Sequence, residues 1–394
     1  MDINIYGDRV RAARILRGFK AVELAAALDW PPSRQTLIEQ AETVQLEDRS
    51  VEVLTKKLRF PQDYFSTSPG PALRPEEMLF RAPVSTTKRE KAYLAEFARV
   101  AGEILYWLDC HHRLPPVKIP LAMPGSTIAD AAREARIALG IDVDKPIGNL
   151  THKLERAGLP IVVRSSAWSA LPEKHLGYST RVGTHRERPL TILRAQDSWE
   201  RMRWTLAHEV GHHVLHSSVL PADAEGQAHE FAGELLAPAS VIRPELPRYI
   251  TLASLTELKL RWGISLGALI LHLSRNDLIS DERKDTLRKQ LYARINPATG
   301  RTWGKDEPGW DTRQVELPSL INTWMQRCLG GSAPNLVANL SGIWPADIIS
   351  MIIVRQRDAS PSSRPRSRGQ ADIVPMRSKH KSVIDLEARR MLQA

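Results

Sequence analysis

Trp204-Thr205-Leu206-Ala207-His208-Glu209-Val210-Gly211-His212-His213-Val214-Leu215-His216 is the stretch whose reading decides the fold. On a helix, residues four apart lie nearly above one another, because a turn takes about 3.6 residues. His208 and His212 therefore aim two imidazoles at one point, the spacing a Zn²⁺ ion needs from two of its ligands. Glu209 projects beside them, where a carboxylate can polarise a metal-bound water and take its proton. Asp197 and Glu200 have capping-box spacing, which predicts a helix start at Ser198. Trp204, Ala207, Val214 and Leu215 can face a core. Gly211 costs such a helix about 1 kcal/mol, a cost that makes sense if something approaches the backbone there.

A catalytic zinc site needs a third protein ligand and an open position. The following block, Pro221 to Pro238, reads as a second helix from about Asp223 to Leu236, closed by Pro238. Glu225, Ala228, His229, Ala232 and Leu236 fall on one stripe of it. A turn at 217–221 folds this helix back on the first, and Glu225 then reaches the metal. His229, one turn on, is the competing ligand or a group behind the ligands. His213 and His216 read as surface or supporting residues.

These residues carry a resemblance. Trp204 to His216, followed by Glu225, Ala228, Phe231, Ala232, Leu235, Leu236 and Pro238, resemble the ImmA/IrrE family of bacterial metallopeptidases. The resemblance implies a zincin-like core with one Zn²⁺ per chain, ligated by His208, His212 and Glu225, and Glu209 as general base. It also implies a protein substrate, a helix-turn-helix repressor, cut to relieve repression. At His229 the family usually has Asn, so the choice between Glu225 and His229 stays open here.

Upstream, helices are predicted over 9–18, 22–28, 34–42 and 48–58, with a turn at Asp29-Trp30-Pro31-Pro32. Four or five short helices with a tight turn between the second and third describe a helix-turn-helix. Arg14, Gly18, Leu24, Ala25, Leu28 and Asp63-Tyr64-Phe65 resemble the Xre/Cro repressor type. A third helix in the major groove would offer Arg34, Gln35 and Thr36 to base edges, while Arg11, Arg14 and Arg17 meet phosphates. DNA binding through residues 8–65 is the expectation; a unit that keeps this fold and binds protein is the alternative.

Leu79-Phe80-Arg81 resembles the short Phe-Arg element that the peptidase family places between its two units. A long amphipathic helix is predicted over 89–112. Strands are predicted over 159–164, 177–182 and 189–193. Zinc peptidases of similar build bind substrate as an added strand on an edge beside the metal helix, and residues 190–193 are the candidate edge, with a plain core strand as the alternative. Behind the core, 252–261 and 266–275 read as a second helix-turn-helix-like pair. Trp303, Glu307 and Pro308 echo a weak family pattern without a role that the sequence supplies.

The expected class is therefore mainly α with a small sheet (α+β). The organisation reads 1–66 helix-turn-helix, 67–125 linker and helical connector, 126–245 metallopeptidase core, 246–300 second helix-turn-helix-like unit, 301–354 C-terminal helices and 355–394 a basic, disordered tail. The chain has 394 residues and a formal net charge of +10, which favours a polyanionic partner. Its two cysteines make no disulfide framework and suit a cytoplasmic setting. There is no signal-peptide pattern and no membrane-length apolar run. Repressors of this type pair on DNA, so a homodimer is expected. Function reads as a zinc endopeptidase fused to a DNA-binding unit; the alternative is a transcriptional regulator whose zinc-site domain senses or scaffolds without turnover.

Overall fold

The first strand has no counterpart in the sequence reading. In the computed structural model, which describes residues 2–74, 78–80, 87–164, 176–196, 198–216, 221–331, 340 and 342–352, β1 (Asp2–Tyr6) pairs antiparallel with β2 (Thr43–Glu47). Both strands alternate, with Ile3 and Ile5 in β1 and Val44 and Leu46 in β2, but each is only five residues long and depends on a partner distant in sequence. Around this ribbon run α1 (Gly7–Leu16), α2 (Ala21–Ala27), α3 (Pro32–Gln40) and α4 (Asp48–Leu58), each close to its predicted place, and α5 (Gln62–Ser66), which has no predicted range. A Cβ at Gly7 would overlap the carbonyl oxygens of Ile38 and Ala41, so glycine lets α1 start against the end of α3.

The main sheet has four strands in the order β3 (Leu79–Phe80), β5 (Gly177–Val182), β6 (Arg188–Arg194), β4 (Ile161–Arg164). β4 runs parallel to β6, and the other pairs are antiparallel. Period-2 alternation gives this sheet two buried faces. Val162, Tyr178, Val182, Leu190 and Ile192 join the core under α6 (Lys88–His111) and the N-terminal helices. Ile161, Val163 and Leu193 join the core of the metal-side helices. On the α6 side Gly102 gives the closest approach, since a Cβ there would stand 2.9 Å from the Val182 Cβ.

The metal-side layer contains α7 (Ile128–Ala138), α8 (Leu150–Arg156), α9 (Trp199–Leu215), α10 (Ala224–Leu236), α11 (Ala239–Ile242), α12 (Leu252–Trp262), α13 (Leu266–Arg275) and α14 (Asp281–Ala293). α14 is an addition to the sequence reading. α15 (Leu320–Leu329) packs on α6, and α16 (Ala346–Ile352) packs on β4. Mainly helical with small sheets, the molecule fits the α+β class.

The first core runs from the N-terminal helices through α6 to α16 without a break at residue 66. Arg9, buried, sews that seam: it donates to the carbonyls of Thr67 and Ser68 and pairs with Glu103 of α6 at 2.7 Å. Arg17 pairs with Asp347 of α16.

Glu307 and Pro308 acquire a structural role. Lys259, fully buried on α12, donates to Glu200 of α9 at 2.5 Å and to the Pro308 carbonyl at 2.6 Å, with Glu307 3.4 Å away. The Glu307 carboxylate also accepts from the Leu266 N–H at the start of α13 at 2.7 Å. Burial raises the Glu307 carboxyl, with Lys259 opposing. Among the described residues no helix is long and apolar enough to cross a membrane. The predicted tail, 355–394, lies outside the described residues, as do Arg81 and positions 217–220 of the predicted turn.

Candidate metal centre

α9 starts one residue later than predicted. Its N-cap is Ser198, whose hydroxyl accepts from the Arg201 N–H at 3.2 Å; Asp197 lies outside the described residues. The helix is sandwiched between the sheet and α10, so most of its circumference is buried. The close approach expected at Gly211 is that of α10: a Cβ there would stand 3.2 Å from the Ala228 Cα and 3.1 Å from the Phe231 ring.

This packing brings the first turn of α10 over the two histidines. Nε2 of His208 lies 3.4 Å from one Glu225 carboxylate oxygen, and Nε2 of His212 lies 3.3 Å from the other. One ligand atom from each of His208, His212 and Glu225 falls within 4.8 Å of the others, the one such group among the described residues. Both histidines are buried, and Glu225 is 48 % exposed. Burial by itself raises the Glu225 carboxyl, but hydrogen bonds from His208 and His212 outweigh it and hold the group well below the ordinary carboxylate range. His229 is outside this group: its ring stands perpendicular to that of His208 at 4.4 Å and to that of Trp204 at 6.1 Å.

Glu209 points to the sheet and is fully buried. The Ser179 hydroxyl lies 2.6 Å from its Oε2 and 3.1 Å from its main-chain oxygen. Gly177, two residues earlier on the same face of β5, leaves room for the carboxylate, since a Cβ there would stand 3.0 Å from Glu209 Oε1. Neither residue was anticipated. The available signal was the period-2 alternation of β5, which puts 177 and 179 on one face, but it does not say what that face meets.

His213 and His216 are buried, so the surface alternative for them is corrected. His216 Nδ1 lies 3.0 Å from His212 Nδ1, and its Nε2 lies 3.0 Å from Gln227 Oε1. Burial lowers His216. His213 Nε2 lies 3.1 Å from the Thr191 hydroxyl of β6, and burial pushes its pKa down to about 3. The edge expected at 190–193 is also corrected: β6 is flanked by β4 and β5 and has no open side. A strand covered by helices on both faces and paired on both edges reads in sequence like any apolar strand.

With this geometry in place, the comparison is informative. Residues 155–274 match the family model Peptidase_M78, the IrrE N-terminal-like domain. The match supports the resemblance to the ImmA/IrrE family and suggests a metallopeptidase-like function, whose family implies a metal, typically zinc. It spans the strands β4 to β6 and the helices α9 to α13, and so takes in every group of the candidate centre. No curated protein matches the chain.

The predicted DNA readers divide. Arg34 and Thr36 are exposed on α3, Arg34 with its guanidinium 4.6 Å from the centroid of the Trp30 ring. Gln35 is buried, its amide donating to Glu39 Oε1 at 2.5 Å, which turns it away from any base edge. The cause is Arg14, which holds Glu39 through two hydrogen bonds of 2.6 and 2.7 Å and fixes that face of α3 against α1. Arg14 and Arg17 are thus engaged within the protein, and Arg11 remains half-exposed near Asp8.

Proposed function

We propose that this chain is a zinc-dependent endopeptidase carrying an N-terminal DNA-binding unit, and that its substrate is a protein, a helix-turn-helix repressor as the family resemblance implies. The observation that carries the reading is the convergence of His208, His212 and Glu225, with Glu209, the residue after His208 on α9, held through its carboxylate by Ser179. Two imidazole nitrogens and one carboxylate form a donor set suited to Zn²⁺ with a further position open. When bound, Zn²⁺ supplies a Lewis acid that polarises a carbonyl and brings the pKa of a water toward ~7.

The chain's own groups do the rest. His208 and His212 offer Nε2 to the ion. His212 must then carry its proton on Nδ1, and His216 Nδ1, 3.0 Å away, accepts it; His216 Nε2–H in turn donates to Gln227. Ser179 donates to Glu209 Oε2 and sets the rotamer of the base. Glu209 takes a proton from water and passes it to the leaving amine. Residues 8–65 bind DNA with Arg34 and Thr36 on the exposed side of α3, in a cytoplasmic and dimeric protein.

The test is Glu209→Gln, assayed by gel against a purified helix-turn-helix repressor. The variant keeps its metal and DNA affinity and loses about 10²–10⁴-fold in cleavage rate. Equal cleavage by both proteins, or biological output unchanged by the substitution, rejects the peptidase reading.

A further inference from the structure

The outer edge of β5 runs beside the base. Its inner edge is paired with β6 over all six residues, Gly177 to Val182. Gly177 and Ser179 flank the Glu209 carboxylate. An extended peptide added to the outer edge would therefore lie along the candidate centre, with main-chain hydrogen bonds setting its register.

That edge is taken. β3 pairs there antiparallel, Leu79 opposite Ser179 and Phe80 opposite Tyr178. These two residues come from the connection between α5 and α6, well outside the 155–274 family match. They occupy the register positions next to the base, and Glu209 and His208 behind them are fully buried.

We propose that the outer edge of β5 is the docking edge for an extended segment of the substrate protein, and that the chain's own residues 79–80 stand in for that segment until it displaces them. The proposal rests on the peptidase reading and names how substrate reaches the same centre. A strand entering antiparallel exchanges one set of main-chain hydrogen bonds for an equivalent set. The contest is then between an intramolecular two-residue strand and a longer intermolecular one. The apparent affinity for substrate is reduced by the fraction of molecules in which 79–80 hold the edge. Because residues 79–80 lie in the connection that leaves the N-terminal helices at Ser66, engagement of those helices by a partner gives a route to changing that fraction.

The experiment uses the full chain, zinc-loaded and carrying Glu209→Gln so that the probe is not consumed. One form has the native connection, and the other adds Leu79→Pro and Phe80→Pro, which remove two main-chain donors without changing length. The probe is a fluorescein-labelled synthetic peptide with the sequence Glu76 to Val84, titrated by anisotropy. It should bind the double-proline form at least about tenfold more tightly than the native connection. Hydrogen exchange provides a second measurement on the protein with its native connection: the amide of Ser179, which faces the outer edge opposite Leu79, should be protected before peptide is added. Equal affinities, no binding to the double-proline form, or rapid exchange at Ser179 would each overturn the proposal. None of these readouts needs hydrolysis, so they fail or succeed separately from the peptidase reading.

Discussion

Glu225 separates the proposed ligands from their neighbours. It is the one member of the centre with a substantially exposed side chain, and it touches both imidazoles at 3.3 and 3.4 Å. Glu225→Ala should abolish stoichiometric zinc, read by metal analysis of the purified protein; full retention would move the third ligand to His229. Ser179 acts one step further back. Its hydroxyl fixes Glu209 without facing the ion's donors, so Ser179→Ala should leave zinc content unchanged, lower the cleavage rate about tenfold and shift the acidic limb of its pH profile. Identical rates and profiles would reduce Ser179 to a packing residue. His208, His212 and Glu209 could be picked out by spacing alone, because four residues along a helix is a fixed geometry. Ser179 could not, because its partner lies 30 residues away and on a different kind of element.

The same contrast holds between elements. α9 and α10 have legible boundaries, set by Ser198 at one start and Pro238 beyond the other end. What holds α9 in place is less legible. The buried Lys259 ties its Glu200 to α12 and to the Pro308 carbonyl. Lys259→Ala strands the Glu200 carboxylate in the interior, at a cost of about 3–5 kcal/mol. Urea unfolding should show this as a lowered midpoint with unchanged slope; an unchanged midpoint would mean that solvent reaches Glu200. β6 is the instructive miss among the strands. Its apolar run announces a strand but not its neighbours, and strand order depends on the parallel crossover from β4 and on β3 arriving from a remote connection.

For the molecule as a whole, His272 couples stability to pH. It is buried on α13 with Nε2 2.8 Å from the Ala237 carbonyl, and burial pushes its pKa from 6.5 to about 4. Glu234 of α10 lies 3.6 Å from Nε2, and Arg275 adds repulsion from its own helix. Gly233 makes room for the ring, since a Cβ there would overlap it. In the unfolded chain the histidine binds protons more readily, so this contribution is complete above pH 6.5 and is lost as pH falls toward 4. The loss amounts to about 3 kcal/mol at most. Urea unfolding in chelator at pH 7.5, 6 and 4.5 measures it, and His272→Gln should flatten the dependence; a dependence equal to that of the unsubstituted chain would assign it elsewhere.

The sequence alone determined the periodic features: the first four N-terminal helices, α9 and α10 with their histidines and Glu225, the α+β class and the charge of the chain. Each follows from local geometry, since 3.6-residue and 2-residue repeats place neighbours without reference to the rest of the molecule. Only the tertiary structure decided that Glu225 lies across both imidazoles while His229 is outside that group, that Ser179 holds the Glu209 carboxylate, that Gln35 turns inward to Glu39, and that residues 79–80 take the edge of β5. Those outcomes depend on which surfaces meet across tens or hundreds of residues, and contact between distant segments leaves no period in the chain to read.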